Sequence, residues 1–105
     1  FRRVLFRSMV TTDEPGIYIE GEYGIRLENE LLCVKHSSGD TGDFYRFECL
    51  TLAPFQAKCI DINMLSSEEI EYLNDYHSRV YDIISPYLDD DEAEWLQEAT
   101  RELSI

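Results

Sequence analysis

Positive charge is what this sequence has least of: nine Lys and Arg stand against 22 Asp and Glu, for a formal net charge of −13. Nucleic acid and anionic membrane are thereby excluded as partners, since both are bound through cationic surface that displaces counterions. Arg2, Arg3 and Arg7 all fall in the first eight positions, so the remainder is more acidic than the total suggests. Cysteine is sparse as well. Cys33, Cys49 and Cys59 are odd in number, far apart and in no C-x-x-C arrangement, which signals neither a disulfide framework nor a zinc site and points to a reducing, cytoplasmic setting. There is no run of about 18 apolar residues, so no transmembrane helix is expected. The opening octet, FRRVLFRS, is too short and too polar for a signal peptide. Residues 1–8 are read as a non-native leader abutting Met9, the alternative being a native strand whose partners lie upstream. Asp89-Asp90-Asp91-Glu92 lacks the spaced oxygens and central glycine of an EF-hand, no nucleophile elbow accompanies the Ser, His and Asp residues, and no internal repeat is visible.

What is present suits one small α+β domain or a piece of a larger one, at 105 residues. Residues 9–13 form a short β-branched run that reads as a strand, broken by Pro15-Gly16. Gly21 and Gly24 bracket a charged hairpin connection, and residues 25–34 return as a second strand. With apolar residues on both of its faces, that strand is expected to be central. Residues 36–43 (HSSGDTGD) are polar, carry two glycines and read as a loop; residues 44–52 (FYRFECLTL) follow as a third strand, and residues 54–64 as an extended connector. Ser66 and Glu69 form a capping box ahead of a helix whose stripe is Ile70, Leu73, His77, Val80, Ile84 and Leu88. Pro86 should kink or end it. Asp89 to Glu92 then cap a second helix over residues 91–103, with Trp95, Leu96, Ala99 and Leu103 as its apolar face.

The candidate chemistry lies in Glu14 and Glu28. Hard divalent cations prefer oxygen ligands, and two such ions held about 3.5–4 Å apart need carboxylates to offset their repulsion. A glutamate on each of two neighbouring strands supplies them from a rigid frame. On pattern alone the same residues also read as solvated strand acids, and Arg26, on the face of Glu28, as an ordinary ion-pair partner. His36 falls in the polar loop and His77 reads as a packed or capping helix histidine. Tyr72, Tyr76, Tyr81, Tyr87 and Trp95 read as core and interface.

TDEPGIY (residues 12–18) followed by YGIRLEN (23–29) resembles the closing motifs of the pita-bread metallopeptidases, in particular the large three-domain Xaa-Pro aminopeptidases (aminopeptidase P). FYRFECLTLAP (44–54), Cys59-Ile60-Asp61 and residues 65–77, with YLNDYH at 72–77, resemble the C-terminal extension of that family. Tyr72 stands where the extension usually has tryptophan. The resemblance runs from Met9 to the C-terminus. It implies that residues 9–38 end a metallopeptidase catalytic domain, its antiparallel strands being the C-terminal part of a pita-bread fold, and that residues 39–105 form a strand, a connector and a two-helix extension. It further implies that Glu14 binds one metal and helps to move the proton of the attacking water, and that Glu28 bridges two ions, Mn²⁺ in the expectation here. Tyr18 and Arg26 would form a hydrogen-bonded shell shared with a metal-binding aspartate. The implied reaction releases the N-terminal residue from peptides with proline in second position, in a cytoplasmic enzyme that pairs as a homodimer through its C-terminal region. The other ligands of such a site, two aspartates and a histidine, would lie before Met9. The chain by itself, a C-terminal fragment on this reading, is therefore expected neither to hydrolyse such peptides nor to hold stoichiometric Mn²⁺. Alternatives are a prolidase-like dipeptidase, a non-catalytic pita-bread domain kept for protein binding, and an independent acidic interaction module.

Overall fold

The computed structural model describes residues 6–104. The octet read as a leader therefore lies partly outside the described residues; Phe6 to Ser8 form a turn in which the Ser8 N–H donates to the Cys33 carbonyl at 2.9 Å. Two compact units divide the chain, one ending at Thr51 and the other beginning at Leu52.

In the first unit the strands are β1 (Val10–Asp13), β2 (Gly16–Ile19), β3 (Tyr23–Arg26), β4 (Asn29–Gly39) and β5 (Gly42–Cys49). All pairings are antiparallel, with order β1-β4-β5 in one sheet and β2-β3 in the other. The charged turn closes the β2–β3 hairpin as expected: Gly21 takes φ +74, and the Glu22 N–H donates to the Ile19 carbonyl at 3.0 Å. The long second strand is central where it runs as β4, but it is interrupted at Leu27 and Glu28.

Residues 36–43 are not a loop. β4 continues through Gly39 and β5 starts at Gly42, with a register slip between Lys35 and Ser37 and a tip that Gly42 turns at φ +124. Polarity here reports exposure rather than irregular backbone, because ladder hydrogen bonds need no apolar side chains. Polar contacts replace them: the Ser38 hydroxyl donates to Asp43 Oδ1 at 2.8 Å, and Lys35 Nζ lies 3.0 Å from the same oxygen. Before Thr51, Cys33 alone is fully buried among the described residues.

The second unit is built on α1 (Ser67–Ile84) and α2 (Asp90–Ala99). Both start as the sequence predicts. The Ser66 hydroxyl accepts from Glu69 N–H at 3.2 Å while Glu69 accepts from Ser66 N–H at 2.8 Å; Asp89 and Glu92 repeat the exchange at 2.9 and 3.1 Å. Each box satisfies two donors that a helix start leaves unpaired. Pro86 sits in a 3-10 turn, Ser85–Tyr87, that ends α1. The connector is less extended than expected, since it contains two further 3-10 turns, Ala57–Cys59 and Ile62–Met64.

Burial on α1 follows Ile70, Tyr76, His77 and Val80. Tyr76 and His77 together hold the connector: the Tyr76 hydroxyl donates to the Ala53 carbonyl at 2.8 Å, and the Phe55 N–H donates to His77 Nε2 at 3.1 Å. The second helix stops at Ala99 rather than Leu103. There the Thr100 hydroxyl bonds back to the Leu96 carbonyl at 2.7 Å, and the Asn74 amide takes both the N–H and the carbonyl of Leu103. Leu96 is buried but its neighbour Trp95 is 65% exposed, because adjacent helical residues point about 100° apart. Tyr72 and Tyr87 are exposed as well, so of the five aromatics only Tyr76 is core. No helix of the described residues is long and apolar enough to cross a membrane.

Two outcomes follow from this unit. Ser66→Ala should cost about 1 kcal/mol in denaturant unfolding by removing a cap. Burial also pushes the His77 pKa down, so the folded state favours neutral imidazole, with Nε2 accepting from Phe55. The unfolded chain then takes up the proton first as pH drops below about 6.5, and stability present above that pH should be lost on acidification. His77→Gln, which keeps an acceptor for Phe55, should flatten that slope in melting curves between about pH 7 and pH 5.5.

Candidate metal centre

The first unit places the two glutamates through a single register. Gly16 pairs with Arg26, Tyr18 with Gly24, Asp13 with Asn29 and Val10 with Leu32. All of these pairs share one offset, so β1–β2 and β3–β4 form one long hairpin, and its register carries through the interruption. Glu14 falls opposite Glu28.

Pro15 explains the interruption. Opposite Leu27 it accepts a hydrogen bond from the Leu27 N–H at 3.1 Å but has no N–H to return. The Pro15 and Leu27 pair occupies a hydrogen-bonded position of the ladder, so the flanking Glu14 and Glu28 pair occupies a non-hydrogen-bonded one. In such pairs the Cα atoms stand about 4.5 Å apart and the side chains lie closest. Alternation then sets Glu14, Gly16 and Tyr18 on the same face as Glu28, Arg26 and Gly24. Neither glutamate lies within a strand, as the sequence reading had it; both occupy the break between strands.

Two carboxylates directly opposite are mutually repulsive. Arg26 partly offsets this, with Nε 3.1 Å from Glu28 Oε2. Its guanidinium pKa is raised, first by a hydrogen bond to the Tyr18 side chain and then by the charges of Glu28 and Glu14. Arg26 thus engages Glu28, and among the described residues no aspartate is placed with it. The pair fits part of a hard-cation site, since it offers carboxylate oxygens from a rigid frame. It is not a full one. Among the described residues no group of three or more His, Cys, Asp and Glu could hold a metal ion. His36 is exposed at the β4 irregularity, and His77 is buried within its own unit with Nε2 taken by the Phe55 N–H.

Residues 43–103 match the family model described as the C-terminal region of peptidase_M24. The chain belongs to that family. It is 50% identical over 103 residues to aminopeptidase P1 of Lotus japonicus, covering 93% of this chain and 16% of that protein. Over 101 residues it is 39% identical to Xaa-Pro aminopeptidase 2 of Sus scrofa, covering 92% of this chain and 15% of that one. The crystal structure of X-prolyl aminopeptidase from Caenorhabditis elegans, described as a cytosolic enzyme with a di-nuclear active site, matches with TM-score 0.82 at 38% identity. That match covers 94% of this chain and 17% of the other. The chain thus spans about a sixth of the length of the relatives it matches, and its α+β architecture is that of the C-terminal part of this pita-bread family.

Two features escaped the sequence reading. The continuous register was hidden because Pro15 looked like the end of a strand, and Gly16 and Gly24, which lie beneath the Tyr18 ring, looked like turn residues. Their spacing on one face with Tyr18 and Arg26 was the available signal.

Glu14→Gln removes one member of the repelling pair and leaves the Arg26 contact to Glu28 intact. It should raise stability by about 0.2–1 kcal/mol at low salt, read by denaturant unfolding, with the gain shrinking as salt screens the charges.

Proposed function

We propose that Glu14 and Glu28 are two carboxylate ligands of a dinuclear metal centre in an Xaa-Pro aminopeptidase. The observation that carries this reading is the placement of two like charges opposite one another at a non-hydrogen-bonded position of an otherwise regular hairpin. An arrangement that costs stability in the free protein would be offset by cations held by the two carboxylates. Glu14 would hold one ion and accept a proton from the attacking water at its carboxylate; Glu28 would be a ligand shared by both ions while its Oε2 keeps the Arg26 contact. Arg26, steadied by Tyr18, would keep Glu28 in one orientation. Bound there, two hard divalent ions, Mn²⁺ in this reading, would supply Lewis acidity and an activated water.

The substrate would be a peptide with proline in second position, cleaved to release its first residue. Residues 9–38 would close the catalytic domain. Residues 39–105 would form the extension, whose first strand, β5, pairs with β4. Tyr72, Tyr87 and Trp95, all exposed, suit aromatic anchors of a homodimer interface. A cytosolic location agrees with the description of the C. elegans relative.

Two measurements test the reading. In the chain alone, Mn²⁺ should bind weakly and without stoichiometric heat in calorimetry, because a site needs its full ligand count, while its paramagnetism should broaden amide signals around Glu14 and Glu28 first. Tight binding of two ions by the chain alone, or broadening centred elsewhere, would contradict it. In a chimera carrying residues 9–104 in place of the matching segment of the C. elegans enzyme, Xaa-Pro peptides should be hydrolysed. Arg26→Ala or Tyr18→Phe should then lower activity or metal affinity by about 10–100-fold.

A further inference from the structure

Of the five glycines in the chain, Gly39 stands against the Phe44 ring at the β4–β5 tip, and the other four divide into two kinds. Gly21 and Gly42 take positive φ and have open space where a β-carbon would go. Their backbone conformation accounts for them. Gly16 and Gly24 are different, for neither has positive φ and both sit inside strands, where glycine weakens pairing and any β-branched residue would strengthen it. What they share is the Tyr18 ring. A β-carbon on Gly24 would stand 2.9 Å from Tyr18 Cδ1 and 3.4 Å from Cε1; one on Gly16 would stand 2.6 Å from the Tyr18 hydroxyl oxygen and 2.8 Å from Cζ. The ring lies across the strand pair, from above Gly24 to above Gly16, and ends beside the position that pairs with Arg26. At 67% exposure the ring has no core to hold it.

We propose that Gly16 and Gly24 are positioning residues: together they form a flat seat for the Tyr18 ring, and that seat delivers the Tyr18 hydroxyl to Arg26 and so holds Arg26 on Glu28. A side chain at either position would lift the ring about its Cα–Cβ bond and carry the hydroxyl away. Arg26, left with one partner on an exposed hairpin, would sample other rotamers. The seat deepens the reading of Glu28 as a metal ligand and rests on it for its functional consequence, but its geometry is read without any metal.

The test follows the Arg26 Nε–H resonance in the full chain labelled with ¹⁵N-arginine. In the wild type it should be displaced from the free-arginine position by its ion pair with Glu28. Gly24→Ala should return it to that position, as Tyr18→Phe should, and adding Gly24→Ala to Tyr18→Phe should produce no further shift, since the two act through one contact. Gly21→Asn, at a turn position whose left-handed backbone asparagine tolerates, should leave it unmoved. Gly24 is the better probe because a β-carbon on Gly16 would also press on the Ile25 carbonyl at 3.0 Å. A resonance indifferent to Gly24→Ala, or one that Gly24→Ala still moves when Tyr18 is Phe, would overturn the proposal. Should Gly24→Ala disrupt the hairpin, the pair Tyr18→Ala and Tyr18→Ala/Gly24→Ala decides: with the ring gone the nearest atom to the new methyl is the Ile17 carbonyl oxygen, at an ordinary 3.7 Å. The double variant should melt higher than the single one. A lower melting temperature would show that Gly24 serves the backbone and not the ring. Because these signals need no metal, a seat that holds while Mn²⁺ fails to broaden Glu14 and Glu28 would sink the metal reading and leave the seat standing.

Discussion

The missing N–H of Pro15 is the constraint on which the site depends. A proline inside a hairpin normally marks the end of pairing, yet here the register on its two sides is the same. The ladder loses one hydrogen bond and keeps its alignment. The consequence is a short stretch held by the single bond from the Leu27 N–H to the Pro15 carbonyl, with Glu14 on one strand and Glu28 on the other and regular pairing before and after. Metal ligands gain from such placement, since a preformed geometry spares the ordering entropy that flexible side chains would otherwise lose on binding.

The two units spend their sequence differently. In the unit from Leu52 onward, both helices are capped by reciprocal boxes, and buried Tyr76, His77 and Val80 fix the connector and the core. In the unit that carries the glutamates, Cys33 is the one fully buried side chain among the described residues, and Ile17, Ile25 and Leu27 are each more than half exposed. So much exposed apolar surface on a hairpin is more than isolated strands tolerate well. It argues against a free-standing acidic module, which would need a core of its own. The charge arrangement has the same character: two opposed carboxylates and a partly compensating arginine lower the stability of the free hairpin and suit a cation.

Much of this was legible in the residues. Ser66 with Glu69 and Asp89 with Glu92 marked both helix starts because a capping box is a local exchange that needs no tertiary information. Pro86 marked the end of α1 for the same reason. The structure departs from the sequence pattern where polar side chains cover regular backbone and where neighbours decide the outcome. HSSGDTGD was read as a loop because its side chains are polar, although backbone pairing carries the strands through it. Trp95 was placed on the buried face, but Leu96 took that place and the two cannot share it. The end of α2 was set by Asn74, a residue 29 positions from Leu103, and no local signal could have announced it. At the candidate site, only motif context singles out Glu14 and Glu28; that they face each other depends on the register, and that Tyr18 lies over Gly16 and Gly24 depends on the folded hairpin.

The central claim is that this hairpin supplies two ligands of one dinuclear centre. It is tested most directly by counting metal in the chimera that carries residues 9–104 in the C. elegans framework. Elemental analysis after exhaustive dialysis should find two ions per chain, one or both of which are lost in Glu14→Gln and in Glu28→Gln, while Glu30→Gln, two positions beyond Glu28 and opposite Thr12, keeps both. Retention of two ions in both the Glu14 and Glu28 variants would contradict the account.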